Sequence, residues 1–356
     1  MNALGQHIRA LIKKSGPMPV SRYMELALQH PEHGYYRRGD TLGRTGDFVT
    51  APEVSQMFGE LIGLAIAETW KSIGRPDPFT LLELGPGRGT LMHDALRATA
   101  KIPDFHDAMV LHLLESNKTF LSMQKEKLHP FRPRYVDDLG LLPDMPTLCI
   151  ANEFFDALAA RQFERTAEGW CERLITVDGE EFAFMLSKPD PALLFLIPPD
   201  RREEPVGTVH EISLTGLTLI REIARHIAEQ GGAALIIDYG YAAPPATATL
   251  QAVSGHRHAD VLERPGEVDL TVHVDFGALR HMALSHNTRV LGPVGQGEFL
   301  QTLGIDMRAA QLKHHATPEQ AKAISDGLYR LIDHAEMGAL FKAMAIVGPN
   351  AEMPGF

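Results

Sequence analysis

Three glycines at alternate positions follow an acidic residue in Phe79-Thr-Leu-Leu-Glu83-Leu-Gly85-Pro-Gly87-Arg-Gly89-Thr90. An apolar run ends at Glu83, and helix-like periodicity begins near Thr90. Strand, glycine turn and helix, in that order, are how an α/β sheet holds a nucleotide-like ligand at its carboxyl edge. A Cβ at such glycines would meet the ligand or forbid the turn. The spacing is not the G-x-G-x-x-G of dinucleotide enzymes, and the Lys-Ser/Thr of a P-loop is missing. An acidic residue ahead of the first glycine, with no pyrophosphate cradle, suits a cationic ligand that carries no phosphate. S-adenosyl-L-methionine (SAM) is such a ligand. A plain strand-to-helix turn is the other reading of so short a motif.

Ligands of open α/β sheets bind at the carboxyl ends of the strands, so the residues there are the candidates. The run Met109–Leu114 ends at Glu115, whose carboxylate can accept two hydrogen bonds from ribose hydroxyls or cap the next helix, as Asn117 also can. A third strand ends at Asp137-Asp138-Leu139. There an Asp can accept from an adenine amino group while Leu139 packs on the ring, and an acidic turn is the alternative. The fourth strand ends in Asn152-Glu153-Phe154-Phe155-Asp156. Two acids, an amide and two aromatics are hard to explain as packing, because buried unpaired carboxylates are costly. They read either as a helix N-cap or as a substrate clamp beside the cofactor, with Asn152 on the cofactor side. The fifth strand ends in Asp238-Tyr239-Gly240. Gly46-Asp-Phe-Val-Thr50-Ala-Pro-Glu53 precedes a helix, and Thr50 or Glu53 either caps it or belongs to an N-terminal lid.

These positions require an α/β fold. Apolar strand patterns at 79–84, 109–115, near 136, 147–152, 233–238, 288–293 and 341–347 alternate with helical ones at about 90–101, 117–128, 213–229 and 275–286. That rhythm predicts a doubly wound, mostly parallel sheet. Residues 1–76 read as an N-terminal helical cap, with Ser21 as a helix cap and a helix after Pro52. The core takes 77–160, 205–295 and 337–350. Residues 161–204 form a β-insertion with turns at Glu168-Gly169 and Asp178-Gly179. Residues 296–336 form a helical insertion.

Composition narrows the partners. A net charge of −11 leaves no basic excess for nucleic acid. Two cysteines, Cys149 and Cys171, make no disulfide framework and fit a reducing compartment. No run is long enough to span a bilayer, and the first ten residues show no secretory or transit pattern, so a cytoplasmic bacterial protein or a processed one is expected. No H-E-x-x-H and no zinc spacing occur, so no metal is expected. His256-Arg-His258 and His314-His315 read as solvated.

Five stretches in order, together with Met337-Gly-Ala-Leu-Phe-Lys342, resemble the MidA-type class of SAM-dependent methyltransferases, which includes the mitochondrial complex I assembly-factor methyltransferase. They are Tyr23–Tyr36, Gly46–Glu53, Glu83–Leu91, Asn152–Leu158 and Asp238–Gly240. The resemblance implies a class I (Rossmann-like) SAM-methyltransferase sheet and SAM as cofactor. Glu83, Gly85, Gly87, Gly89, Glu115, Asp138, Leu139 and Asn152 would hold it. It also implies a protein substrate, with symmetric dimethylation of an arginine on a respiratory complex I subunit, and the mitochondrial matrix if the source is eukaryotic. Glu153 would then be the main guanidinium clamp, with Asp156 or Asp238 as helper and Glu211 a further candidate from the resemblance alone. One departure is visible: Leu158 is followed by Ala159-Ala160, not by the family's proline. A small-molecule SAM methyltransferase and a non-catalytic assembly factor are the rival readings.

Overall fold

The computed structural model describes residues 1–37, 49–254 and 257–356. By its contacts the chain forms two units, each built from three segments.

The sheet unit comprises Val49–Phe155, Thr218–Ala242 and Phe276–Phe356. Its strands are β1 (Phe79–Leu84), β2 (Met109–Leu114), β3 (Arg134–Val136), β4 (Thr147–Asn152), β5 (Gly232–Tyr241), β6 (Arg289–Gly295) and β7 (Phe341–Val347), in the order β3-β2-β1-β4-β5-β7-β6. Every residue of β1 and β4 is buried, which is why their sequences are mostly apolar and do not alternate with polar residues. Pairing is parallel from β3 through β5, with Glu83 opposite Leu113 and Leu82 opposite Cys149. Only β7 reverses, antiparallel to β5 on one side and to β6 on the other. From β1 the chain walks outward to β2 and β3, then returns to β4 on the opposite side of β1. The carboxyl ends of β1 and β4 therefore flank the switch point, where a doubly wound sheet opens a crevice.

Helices α1 (Gln56–Ser72), α2 (Thr90–Thr99) and α3 (Lys118–Lys127) precede α4 (Leu214–Gln230) and α5 (Phe276–Leu284) in the chain. α1 packs tightly on α2, because a Cβ on Gly63 would stand 2.5 Å from the Ala95 Cα. This packing draws residues from 49 onward into the sheet unit, where sequence periodicity alone groups them with an N-terminal cap. The helix expected after Pro52 is two helices. Extended Ser55 breaks the chain after Ala51–Val54, and its side chain caps α1 by accepting from the Met57 amide. The insertion before β7 folds as α6 (Gln296–Thr302), α7 (Ile305–His314) and α8 (Pro318–Ile332). Arg308 of α7 grips Glu60 of α1 through two nitrogens at 2.7 and 3.0 Å, and Arg97 adds a third contact at 2.8 Å. A buried carboxylate so fully paired carries little of the usual desolvation penalty.

The composite unit comprises Met1–Phe48, Asp156–Leu217 and Ala243–Asp275. Antiparallel strands Arg161–Thr166, Gly169–Asp178 and Glu181–Leu186 form one sheet with Val209–Ile212 and Met18–Pro19. It is not a separate insertion. Leu4, Ile8, Tyr23 and Met24 of the N-terminal helices share one core with Ala160, Ile175 and Leu270. The helix Val20–Gln29 begins after Pro19 with no side-chain cap, so the capping role expected of Ser21 is not realised. A small sheet of Gln251–Ser254, Arg257–Ala259 and Asp269–Thr271 completes the unit; sequence periodicity places these residues in the α/β core instead.

This unit contains a pH-sensitive pair. His210 is buried, and its Nδ1 lies 3.1 Å from Nη1 of Arg201, itself buried. An arginine only donates, so the imidazole accepts and is neutral. Burial first, and the Arg201 charge second, push its pKa down from 6.5 to about 4. The unfolded chain takes up a proton near pH 6.5, the folded one near 4. The stability contribution is full above pH 6.5, shrinks as pH falls, and is gone by about pH 4, a loss of about 3 kcal/mol. Thermal unfolding at pH 7.5 and 4.5 is expected to show a larger acid loss in the wild type than in His210→Gln. Equal losses would refute the assignment.

Candidate functional site

The turn after β1 is left-handed at Gly85 (φ 61°), Gly87 (φ 52°) and Gly89 (φ 72°), so the alternate glycines are a backbone requirement. The Gly85 amide donates to the Leu114 carbonyl at 3.0 Å, and that of Gly89 donates to Pro86 at 2.8 Å. Gly89 is the N-cap of α2 and supplies no side-chain acceptor for the helix's first amides. A Cβ on Gly85 would stand 2.7 Å from the Phe154 ring. The glycine turn and the acidic-aromatic motif after β4 are thus brought together.

At the end of β2, Glu115 Oε1 accepts from the Ser116 and Asn117 amides at 2.8 and 2.7 Å. Asn117 caps α3 through the Thr119 amide, so the alternative in which Glu115 caps that helix is not what the fold uses. Gln124, fully buried on α3, is a site residue that the sequence does not announce. Its Nε2 donates to the Gly87 carbonyl at 2.6 Å and to Glu115 Oε2 at 3.3 Å, tying turn and carboxylate together. A buried glutamine on an otherwise polar helix carries no local signal. Burial raises the Glu115 pKa, opposed by these hydrogen bonds to the anion. Glu83 is buried too, and its pKa is pushed up to about 8, by burial first and by Glu115 second.

Asp138 turns inward on its own loop. Its Oδ1 accepts from the Gly140 amide at 2.6 Å and caps a single 3-10 turn, Leu139–Leu141. Leu139 is buried. Both residues border a 280 Å³ cavity that Leu82, Cys149 and His226 also line.

At the end of β4, Glu153 adopts φ 49°, a left-handed conformation that an ordinary L-residue avoids. Its Oε1 accepts from the Ala51 amide at 2.8 Å and from Asn152 Nδ2 at 3.3 Å. Asp238, fully buried at the end of β5, accepts from the Phe154 and Phe155 amides at 3.1 and 2.9 Å through Oδ2, and from Tyr239 at 2.9 Å through Oδ1. Oδ2 therefore braces the backbone that follows β4, while Oδ1 is held by its own strand. Of the 46–53 motif, Gly46, Asp47 and Phe48 lie outside the described residues, and so does His256. Thr50 makes no side-chain cap bond.

Asp156 and Glu211 belong to the composite unit. The Asp156 carbonyl accepts from the Val272 amide at 3.0 Å, and its side chain is buried. Glu211 accepts from Gln162 Nε2 at 2.7 Å and from the Thr249 amide and hydroxyl at 2.8 and 2.5 Å. Three donors hold it as a tie between its own strand and its neighbours.

The turn and its surroundings suit a cationic, hydroxyl-bearing ligand. Glu83 Oε2 and Asn152 Oδ1 are buried without a protein partner among the described residues. Asn152 Oδ1 is an acceptor. Glu83, mostly protonated near neutral pH in the free protein, becomes a full acceptor once a cation beside it draws the proton off. A buried polar atom left unmatched is expensive unless a ligand or water meets it. Among the described residues no His, Cys, Asp and Glu group has metal-holding geometry, and no helix is long and apolar enough to cross a membrane.

Known proteins of similar sequence and structure agree with this chemistry. The chain is 36% identical to the mitochondrial protein arginine methyltransferase NDUFAF7 homolog of Drosophila melanogaster, over 97% of this chain and 84% of that one. It is 34% identical to the mitochondrial protein arginine methyltransferase NDUFAF7 of Homo sapiens, over 98% of this chain and 84% of that protein. A Burkholderia thailandensis protein solved with S-adenosyl-homocysteine bound superposes with a TM-score of 0.84 at 29% identity, covering 99% of this chain and 94% of that one. Residues 61–294, which carry the glycine turn, the β2 carboxylate and the motif after β4, match a family of S-adenosyl-L-methionine-dependent methyltransferases, and this chain belongs to that family.

Proposed function

We propose that the chain methylates arginine on a protein substrate, with a respiratory complex I subunit or a similar protein as client and symmetric dimethylarginine as product. The observation that carries this reading is Glu153. A glutamate held in a left-handed conformation costs about 1–2 kcal/mol over a glycine there, and such strain persists where a side chain is needed in place. Its carboxylate is anchored through one oxygen by the Ala51 amide.

When bound, SAM supplies an electrophilic methyl group on a sulfonium. The glycine turn, Glu83, Glu115 and Asn152 would hold it, with Leu139 and Asp138 toward the adenine, and Glu115 would accept from the ribose hydroxyls. Arginine is a poor nucleophile because its guanidinium stays protonated at any physiological pH. Glu153 grips one edge of the guanidinium, localises its charge and takes the proton that one nitrogen loses as the methyl arrives. Asp238 positions the loop that carries Glu153 by fixing the Phe154 and Phe155 amides. Asp156 is proposed as a second substrate carboxylate, and Glu211 as a residue that ties Gln162 and Thr249 of the same unit together.

The test has two stages. Calorimetric titration with SAM, S-adenosylhomocysteine and NAD is expected to give micromolar binding of the first two and none of NAD. Arginine- and lysine-containing peptides are then incubated with methyl-labelled SAM and hydrolysed. Label in methylarginine supports the reading. Label only in methyllysine or in a small molecule, or none on any arginine peptide or complex I preparation, overturns it.

A further inference from the structure

The motif 50–53 is left over from the functions assigned above, and the structure gives it one. Glu53 stands where a helix-capping acid is expected, yet its carboxylate turns away from its own helix. Oε1 accepts from the Thr90 hydroxyl at 2.6 Å, and Oε2 lies 3.6 Å from Arg88 Nη1. Arg88 and Thr90 sit on either side of Gly89, the last left-handed residue of the glycine turn. Lys127 of α3 donates to the same Thr90 hydroxyl at 2.8 Å, so Thr90 is held from both sides. The other end of the short helix Ala51–Val54 reaches the motif after β4: the Ala51 amide donates to Glu153 Oε1 at 2.8 Å. Between these ends lies a closed turn, in which the Glu53 and Val54 amides donate to the Thr50 carbonyl at 2.9 and 3.1 Å. A turn closed in this way transmits a displacement at one end to the other.

We propose that Glu53 is a positioning residue: through helix 51–54 it couples the glycine turn to the Glu153 carboxylate, so that filling the cofactor site fixes the group that faces the substrate. The inference rests on the reading of Glu153 given above. It uses Glu153's own strain, because a residue in a left-handed conformation keeps it only while its surroundings over-determine it. The Ala51 amide is one of those surroundings, and Glu53 ties the helix bearing that amide to the turn. No contact between Glu53 and either reactant is needed.

Hydrogen exchange reads the coupling without any substrate. S-adenosylhomocysteine is expected to slow exchange in the segment 50–55 of the wild type by about tenfold, a coupling of ordinary allosteric size. In Glu53→Ala, which leaves no oxygen for the Thr90 hydroxyl, the same ligand should bind within about threefold of wild-type affinity and protect the segment no further than in the free protein. With a methyl-accepting arginine peptide, kcat should fall about 10- to 100-fold with the KM for SAM little changed, as when a supporting partner of a functional ligand is lost. Thr90→Val, which exchanges the hydroxyl for a methyl of similar size, should behave alike and serves if Glu53→Ala folds poorly. Ligand binding without protection of 50–55 in the wild type, or unchanged protection and turnover in both variants, overturns the coupling. Failure of the wild type to bind S-adenosylhomocysteine at all would instead overturn the cofactor reading.

Discussion

Replacing Glu153 by glutamine is expected to leave SAM affinity within about threefold and to slow methyl transfer to an arginine peptide by at least about a thousandfold. Glutamine has the same shape, keeps an oxygen for the Ala51 amide, and has no better access to the left-handed conformation than glutamate. Fold and cofactor site therefore stay as they are. Under the proposed mechanism, what is lost is the charge that localises the guanidinium and the base that receives its proton. Glu153→Gly sharpens the argument, because it removes both strain and carboxylate. It should raise stability by up to about 1 kcal/mol while abolishing transfer, the pattern of a residue kept for function against stability. Single-turnover transfer and denaturant unfolding measure both quantities. Normal turnover by Glu153→Gln would sink the assignment.

The second large effect concerns the cofactor. Gly87→Val should reduce SAM affinity by more than about a hundredfold in a protein that still unfolds cooperatively. Gly87 has φ 52°, and its carbonyl receives the Gln124 amide at 2.6 Å. A β-branched residue in that conformation is a genuine outlier, so the turn must rearrange, and rearrangement pulls on Gln124 and hence on Glu115. The control is Gly179→Val. Gly179 has φ 57° in a hairpin of the composite unit, and a Cβ there would meet nothing within 4 Å. It carries comparable backbone strain and should not alter SAM binding. Retained calorimetric binding by Gly87→Val, or equal loss in both variants, would refute the turn as the cofactor's seat.

Much of this molecule is legible in its sequence where the signal is local. The buried strands announce themselves as apolar runs, and the glycine turn as alternate glycines, because backbone sterics act within a few residues. The insertion helices of 296–332 and the hairpins of 161–186 follow for the same reason. What escapes is contact between distant segments. Nothing near Gln124 says that its amide meets Gly87, and nothing near Glu53 says that it turns to Thr90. Asp238 reads as an open carboxylate until the Phe154 and Phe155 amides are found on it. The composite unit is the largest case. Residues 1–76 look like a separate helical cap because amphipathic periodicity shows that a face is buried, not which partner buries it.

The position of β7 has a consequence for how the protein is made and how it fails. β5 and β6 both lie against β7, which the ribosome adds only after residue 340. Until then the nascent sheet has two unpaired edges, one of them the run Ala233-Ala-Leu-Ile-Ile237. Such edges invite pairing with other chains. A nonsense codon or frameshift shortly before Phe341 would spare every cofactor and substrate residue discussed above and still leave those edges open. The resulting product is expected in inclusion bodies or at a protease, so lesions that remove β7 should behave as complete losses of the enzyme.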